Sequence, residues 1–378
     1  IIHKGDTKDP SGKDQYLDLA DTGGVVWLKS GAANDDGFSA YTVPVPSGLD
    51  ADLTKQKAIW LTPDVIAWPV TMVDNKAYLY TSADAAITIG DSGVENYDHV
   101  YSLDYSAGLT STLRTKYPYL SKYKALIVPA EAKAAIKDIL RGQAVIMMTD
   151  AANVQPAKIT GIQLGDVLDS VYAGAVNDAE GLTWDANGNP TIKVWAPTAQ
   201  SVSLEVYSNP AGGSATEVAM TRNDDTGTWS ATGTSAWKNK YYQFKVAVYA
   251  PSIAHNVVNE VSDPYSYSLS MNGIRSQFVN LKDSDLKPAG WDTLAKPKLA
   301  SIADATTYEL MVRDFSIKDS TVPEADRGRF NAFNATSSAG MTHLKLLAKA
   351  GLTHIQVGPA FDFASTDENS DNWSSVLR

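Results

Sequence analysis

Three carboxylates, Glu309, Asp314 and Asp362, fall near the ends of strand-like segments, and acids so placed could share general acid and base work. Beside Asp314 stands Arg313, and an ion pair between the two is the simpler reading, which removes these acids as catalysts. His343 and His354 lie on a helix and on a strand, at a spacing that suits no metal. The acidic stretch 365–373 offers Asp367, Glu368 and Asp371 as hard oxygen donors for calcium. It lacks the glycine and terminal glutamate of an EF-hand loop and reads as a solvated loop. Nine Trp and eighteen Tyr could form core, or platforms on which sugar rings lay their C–H faces. Trp27, Trp60, Trp68, Trp195 and Trp229 occur within strand patterns and are assigned to the core, whereas Trp237 and Trp373 sit in polar loops and are expected to be exposed. Cysteine is absent, which excludes disulfides, thiol catalysis and thiolate metal sites.

The elements that must position these residues belong to a chain of 378 residues, 44% hydrophobic and 20% charged, long enough for roughly two to four domains. Mean hydropathy is −0.20. A net charge of −11 repels phosphate backbones and anionic lipid heads, so nucleic acid is excluded as a partner. No run approaches the roughly 18–20 apolar residues of a membrane helix, so no membrane span is expected. The chain opens at Ile1 without a leader pattern, as a processed or partial chain would.

Most of the length is β-rich. VVWLKS (25–30), AIWL (58–61), AYLYTS (77–82) and AITIG (86–90) are short, β-branched or aromatic, and bounded by Gly, Asp and Pro, which suggests sandwich modules. VPVPSGLDADLTK (43–55) reads as a linker. In 110–126 a helix breaks at Tyr117; in 130–142 Ala132, Ile136, Ile139 and Leu140 share one helical face, with a stop at Gly142. Strands QAVIMMTD and KITGIQL precede a helix, DVLDSVYAGAV, that ends near Asn177. From Thr191 strand and turn resume, with a hairpin turn at Asp225-Thr226-Gly227. After 298 the grammar changes: 305–316 reads as a parallel strand apolar on both faces as far as Arg313. It is followed by a helix over 337–350 with a buried stripe of Met341, Leu344, Leu346 and Leu347, a stop at Gly351, and a second parallel strand in LTHIQVGPAF.

YELMVRDFSIKDSTVPEADRGRFNAF followed by AGLTHIQVGPAFDFAS resembles the opening of the catalytic barrel in bacterial pullulanase-type α-1,6-glucosidases, the starch-debranching branch of the α-amylase superfamily (glycoside hydrolase family 13). VWAPTAQSVSLEVY with NDDTGTWS resembles the family 48 starch-associated sandwich that precedes that barrel. IIHKGDTKDPSGKDQYLDL resembles the second half of a family 41 starch-binding module, and KAIWLTPDVIAWPV the sandwich inserted between the two. The chain departs from the pattern at Met311, usually His, and at Gly358 and Ala360, usually larger aliphatics, which affects local packing.

The resemblance implies a mainly β fold: tandem immunoglobulin-like sandwiches with a helical insert, then the start of a (β/α)8 barrel. The expected boundaries are 1–48 for the partial family 41 module, 49–182 for the inserted sandwich and helices, 183–298 for the family 48 sandwich and 299–378 for the first βαβ part of the barrel. It implies a retaining hydrolase of α-1,6 bonds in pullulan, amylopectin or limit dextrins, whose two carboxylates stand roughly 5 Å apart. Those carboxylates, and the motif Tyr-Asn-Trp-Gly-Tyr-Asp-Pro, are absent here; a barrel takes about 250 residues, and strands three to eight would come from a further segment or a second fragment. The chain alone is therefore expected to be inactive. Lys8 and Asp14 match the family 41 residues that hydrogen-bond glucose hydroxyls, while the stacking Trp pair of that module would lie upstream of Ile1. No cofactor is required, calcium is left open as a structural ion, and the expected location is extracellular or the cell surface. The alternative is a non-catalytic α-glucan-binding protein.

Overall fold

The structure, a computed structural model, describes residues 27–29, 39–41, 49–72, 75–90, 93–106, 108–150, 152, 155–295, 298–358, 360 and 367–369. The chain divides into two compact units, Ile1–Asn280 and Leu281–Arg378. Strands β1 (Trp27–Lys29) and β2 (Ser39–Tyr41) pair antiparallel. The first module continues with β3 (Asp50–Thr62), β4 (Val65–Trp68), β5 (Ala77–Ser82), β6 (Thr88–Gly90), β7 (Gly93–Glu95), β8 (His99–Ser106), β9 (Lys124–Ile127), β10 (Gln143–Thr149) and β11 (Pro156–Gln163). Among them stand helices α1 (Ser111–Lys116), α2 (Ala130–Ala134) and α3 (Ile136–Ile139), and after β11 comes α4 (Gly165–Val171).

Seven of these strands are hydrogen-bonded in a closed circuit, β10-β11-β3-β4-β9-β8-β5, so the sheets of this module run into each other at both edges. Closure depends on one parallel pairing, β11 with β3. Every strand of the ring sends apolar side chains to a common interior: Trp60, Ile66, Leu79, Leu103, Leu126, Ile146 and Ile162. The expected helical face Ala132, Ile136, Ile139 and Leu140 joins that core, as do Val167 and Tyr172. Alternate residues point outward and are covered separately: Leu61, Ala67 and Ala125 under Leu109, Tyr117 and Leu120, and Tyr80, Val145 and Met147 under the β6/β7 hairpin through Ile87 and Val94. Hence β10 is buried along its whole length.

Two local differences from the sequence reading have pairing as their cause, and a third is a break within a helix. The expected linker 43–55 is strand from Asp50, because Asp50–Asp52 align with Lys158–Thr160 of β11. The helix in 110–126 breaks at Tyr117 as expected, and beyond the break Lys124–Ile127 is drawn into strand between β4 and β8. The helix over 130–142 is interrupted at Ala135, whose ψ of 7° leaves the helical region.

The second module comprises β12 (Gly181–Trp184), β13 (Pro190–Trp195), β14 (Ala199–Tyr207), β15 (Thr216–Ala219), β16 (Thr221–Arg222), β17 (Thr228–Thr232), β18 (Tyr241–Ala250), β19 (His255–Val261) and β20 (Ser276–Gln277). Sheets β12-β13-β17-β16 and β15-β14-β18-β19, with β20 on β18, enclose Ile192, Leu204, Trp229, Tyr242, Phe244 and Phe278. The expected turn at 225–227 joins β16 to β17. Arg275 is buried across the ring of Tyr207, with its Nη1 donating to the carbonyls of Asn209 and Gly212 at 2.8 Å each. The two modules are tied together: Gln200 Nε2 donates to the Ala83 carbonyl at 2.7 Å, Asn256 Nδ2 to the same carbonyl at 3.4 Å, and Gln56 Nε2 to that of Pro251 at 3.3 Å.

In the second unit β21 (Thr307–Leu310) and β22 (His354–Val357) are parallel, register Thr307 to His354, with α5 (Val312–Ser316) and α6 (Ala339–Lys349) between them. Only four residues of the segment 305–316 find a partner strand; Phe315 N–H then donates to the Met311 carbonyl and the chain turns helical, which takes Arg313 and Asp314 off the strand. Ser338 caps α6 by accepting from Met341 N–H, and Gly351, at φ +110°, ends it as expected. Of the anticipated stripe Leu344 is buried, Met341 and Leu347 are half-buried, and Leu346 faces outward. Thr306 and Thr353 clasp the strand starts: Thr306 N–H donates to Thr353 Oγ1 at 2.8 Å and Thr353 Oγ1 donates to the Thr306 carbonyl at 2.9 Å.

Candidate functional site

Among the described residues, those singled out by sequence do not assemble. Lys8, Asp14, Asp362, Asp371 and Trp373 lie outside the described residues. Glu309 is on β21, and Asp314 on α5 pairs with its neighbour Arg313 at 3.3 Å, both exposed, as the simpler reading had it. His343 rests 6.2 Å from the Tyr308 ring, and His354 Nδ1 meets Thr353 Oγ1 at 2.8 Å. Asp367 accepts from Asn369 N–H at 2.9 Å, a local loop contact. Among the described residues no group of three or more His, Cys, Asp or Glu is placed to hold a metal.

Trp60, Trp68 and Trp229 are buried as expected. Trp237 is not the exposed ring anticipated: it is half-buried, its centroid 5.2 Å from that of Phe278. Among the described residues the exposed indole is that of Trp291, at 62%. Trp195 is only half-buried and leaves the interior of its own module to pack against the core of the first.

That departure builds a cleft. An open cavity of about 440 Å³ lies where α4 and the following turn meet the start of the second module, lined by Asp169, Tyr172, Val176, Glu180, Trp195 and Tyr265. Each wall is fixed from behind. The indole of Trp195 donates to the Thr226 carbonyl at 2.8 Å, so its edge is held and its face is available. The Tyr172 hydroxyl accepts from Arg222 Nη2 at 2.9 Å, and Arg222 is held in turn by Asp224. Asp263, buried, accepts from Tyr265 N–H and from the Tyr242 hydroxyl, each at 2.8 Å, which anchors the backbone that carries the Tyr265 ring. Burial holds the Asp263 carboxyl above its ordinary range despite these donors. Gly181, at φ +80°, lies beneath Tyr265; a Cβ there would come within 2.8 Å of the Tyr265 Cβ, so no larger residue fits.

Glu180, which lines the cleft, and nearby Asp178, which does not, are held asymmetrically. The single hydroxyl of Thr228 faces Asp178 at 2.8 Å and Glu180 at 2.9 Å, and its one proton serves only one of them. Thr228 lowers the Asp178 pKa, whereas burial, aided by the charge of Asp178, pushes Glu180 up. Glu180 Oε2 is withdrawn from solvent and has no protein partner. Sequence reasoning missed Tyr172, Glu180 and Tyr265, which come from a helix tail, a connecting turn and a loop far along the chain. The signal available was the acidic turn Asp178-Ala179-Glu180 directly before a glycine.

Two protein-family models match this chain, the Pullulanase N2 domain over residues 55–170 and Carbohydrate-binding module 48 (Isoamylase N-terminal domain) over residues 180–266, and the cleft lies at their junction. The chain is 37% identical over 332 residues to pullulanase 1, chloroplastic, of Arabidopsis thaliana, covering 86% of this chain and 33% of that protein. The pullulanase of Klebsiella pneumoniae is 34% identical over 327 residues, or 85% of this chain and 29% of that protein. The crystal structure of Klebsiella pneumoniae pullulanase complexed with maltotriose superposes with a TM-score of 0.82 at 30% identity, covering 95% of this chain and 34% of that one. PulA from Klebsiella oxytoca gives 0.80 at 30% identity, over 96% and 34%. The chain therefore spans about a third of the length of the curated relatives it matches.

Proposed function

We propose that this chain, homologous to the N-terminal third of the pullulanases and built of their N2 domain and a family 48 module, is the glucan-docking and barrel-starting part of a starch-debranching hydrolase. The carrying observation is the order of parts: two sandwich-type modules, then a parallel β21-α6-β22 unit. The whole activity is hydrolysis of α-1,6-glucosidic bonds in pullulan, amylopectin or limit dextrins with retention. It needs a nucleophile and an acid/base roughly 5 Å apart and no cofactor. On this reading both carboxylates come from barrel strands supplied by a further segment or a second fragment, and the modules begin near 1, 49, 183 and 299. Lys8 and Asp14 would add glucose hydroxyl contacts, and calcium would have only a structural role. The location proposed is extracellular or the cell surface, where polymeric glucan is met. No helix among the described residues is long and apolar enough to cross a membrane.

The test compares this 378-residue chain with one extended through a full barrel, on pullulan. Maltotriose release only by the extended chain is the expected result, and release by the short chain would sink the assignment of the carboxylates. Intact mass of the purified protein decides whether a second fragment accompanies it. The other reading, a non-catalytic glucan-binding protein, predicts retention on amylopectin by both chains with no product from either.

A further inference from the structure

We propose that a second cavity at the boundary of the two modules, lined by Gln56, Gln163, Thr198 and Tyr249, is a binding subsite for one neutral pyranose unit of an α-glucan. The inference rests on the glucan reading above and adds a place and a set of contacts to it.

The cavity shares no lining residue with the Trp195 cleft. From the first module it takes the end of β11 and the residue after it; from the second it takes the residue before β14, the end of β18 and the turn that follows. Its volume of about 260 Å³ lies just below the roughly 300–1,000 Å³ of drug-sized ligand sites, which suits one sugar ring and not an oligosaccharide. No Asp, Glu, Lys, Arg or His lines it, although 20% of the chain is charged. An ionic ligand would therefore enter without a counter-charge, at a desolvation cost that a neutral one escapes.

The polar groups are anchored and still have atoms to offer. Gln56 Nε2 donates to the Thr54 carbonyl at 3.0 Å and to the Pro251 carbonyl at 3.3 Å, and Gln163 Nε2 donates to the Gln56 carbonyl at 2.8 Å. Those carbonyls fix which end of each amide is nitrogen, so each Oε1 is left as an acceptor, with no protein donor among the described residues. Both oxygens are open to a ligand: Gln163 is an exposed residue, and Oε1 of the half-buried Gln56 keeps contact with solvent. The hydroxyl of half-buried Thr198, also reachable, both donates and accepts.

A sugar hydroxyl brings donor and acceptor together, so it meets amide oxygens and hydroxyls alike. Leu140, Ile162, Leu164 and the ring of Tyr249 supply the apolar surface for the C–H face of the pyranose. Because Gln56 reaches across the boundary to Pro251, these groups are in place before any ligand arrives, which lowers the ordering cost of binding.

The experiment uses the 378-residue chain and maltotriose as probe, read by the side-chain methyl resonances of Ile162, Leu164 and Thr198, with amylopectin retention in parallel. Thr198→Val keeps the shape and removes the hydroxyl; Gln163→Ala removes one acceptor. The expected result is retention on amylopectin, movement of the Ile162 and Leu164 methyl resonances on adding maltotriose, and about fivefold weaker binding in each variant with an undiminished melting temperature. Retention that persists with those resonances unmoved, or with both variants binding like the parent, overturns the subsite and leaves the debranching assignment standing. Absence of any retention on amylopectin overturns both. Should Gln163→Ala melt early, Thr198→Val alone decides.

Discussion

Strands β10 and β22 both carry Val and Ile, yet all seven residues of β10 are buried and all four of β22 are exposed. β22 alternates apolar with polar residues where β10 has an unbroken apolar run, but alternation does not explain why Ile355 and Val357 are exposed; their neighbours do. β10 is paired on both edges, by β5 and β11, and has an apolar cluster on each face. β22 is paired with β21 alone among the described residues, and Ile355 and Val357 are each 44% exposed. Hydrophobic stabilisation comes from area removed from water, so the same residue types stabilise one unit and are idle in the other.

The widest gap should appear on truncation. Trp60→Ala, in the interior of the ring, is expected to cost about 3–5 kcal/mol in urea unfolding of the first unit. Ile355→Ala should move the second unit by no more than about 0.5 kcal/mol. The contrast sharpens in a chain extended through the proposed barrel: if that cover forms, Ile355→Ala becomes costly there, and an unchanged small effect would argue against it.

Two arginines give the next contrast. Arg275→Ala leaves the Asn209 and Gly212 carbonyls without their donor and is expected to cost about 2–4 kcal/mol. Arg313→Ala removes an exposed pair with Asp314 and should cost about 0–1 kcal/mol. Equal losses would break the comparison.

The smallest contrast is one of sign with pH. Glu180 is raised above its ordinary 4.5 by burial, so the folded state holds its proton more tightly than the unfolded state. Its ionisation therefore weakens folding as pH rises through 4.5 and beyond. Glu180→Gln, whose amide can donate to Thr228 Oγ1, is expected to raise the melting temperature of the first unit at pH 7, with the gain gone below about pH 4.5. Asp319 in the second unit is lowered below 3.8, by the Thr321 hydroxyl first and by the Thr321 and Gly340 N–H groups. Its contribution is present above 3.8 and is lost as pH falls through the depressed value, so Asp319→Asn should lower the second unit's melting temperature at pH 7 and do nothing in strong acid. Melting curves of both variants across pH check the two signs.

What was legible in sequence was local. The face Ala132, Ile136, Ile139, Leu140, the turn at 225–227, the stop at Gly351 and the burial of Trp60 follow from periodicity and residue type, and all are seen. Family resemblance supplied the order of modules. What failed was set by distant partners: the closing β3–β11 pair unites residues about a hundred positions apart, and α5 replaces strand where β22 runs out. The cleft was invisible for the same reason. Trp195 looks like any core tryptophan until Tyr172 and Tyr265 are brought beside it from opposite directions.

The carbonyl of Ala83 accepts from both Gln200 and Asn256, two side chains on different strands of the neighbouring module. In evolutionary terms that small knot discourages shuffling. A genetic exchange that brought in a second module without these two amides would strand that acceptor, so Gln200 and Asn256 are expected to be inherited together, whereas the side chain at 83 is free to vary because the contact there is a backbone carbonyl.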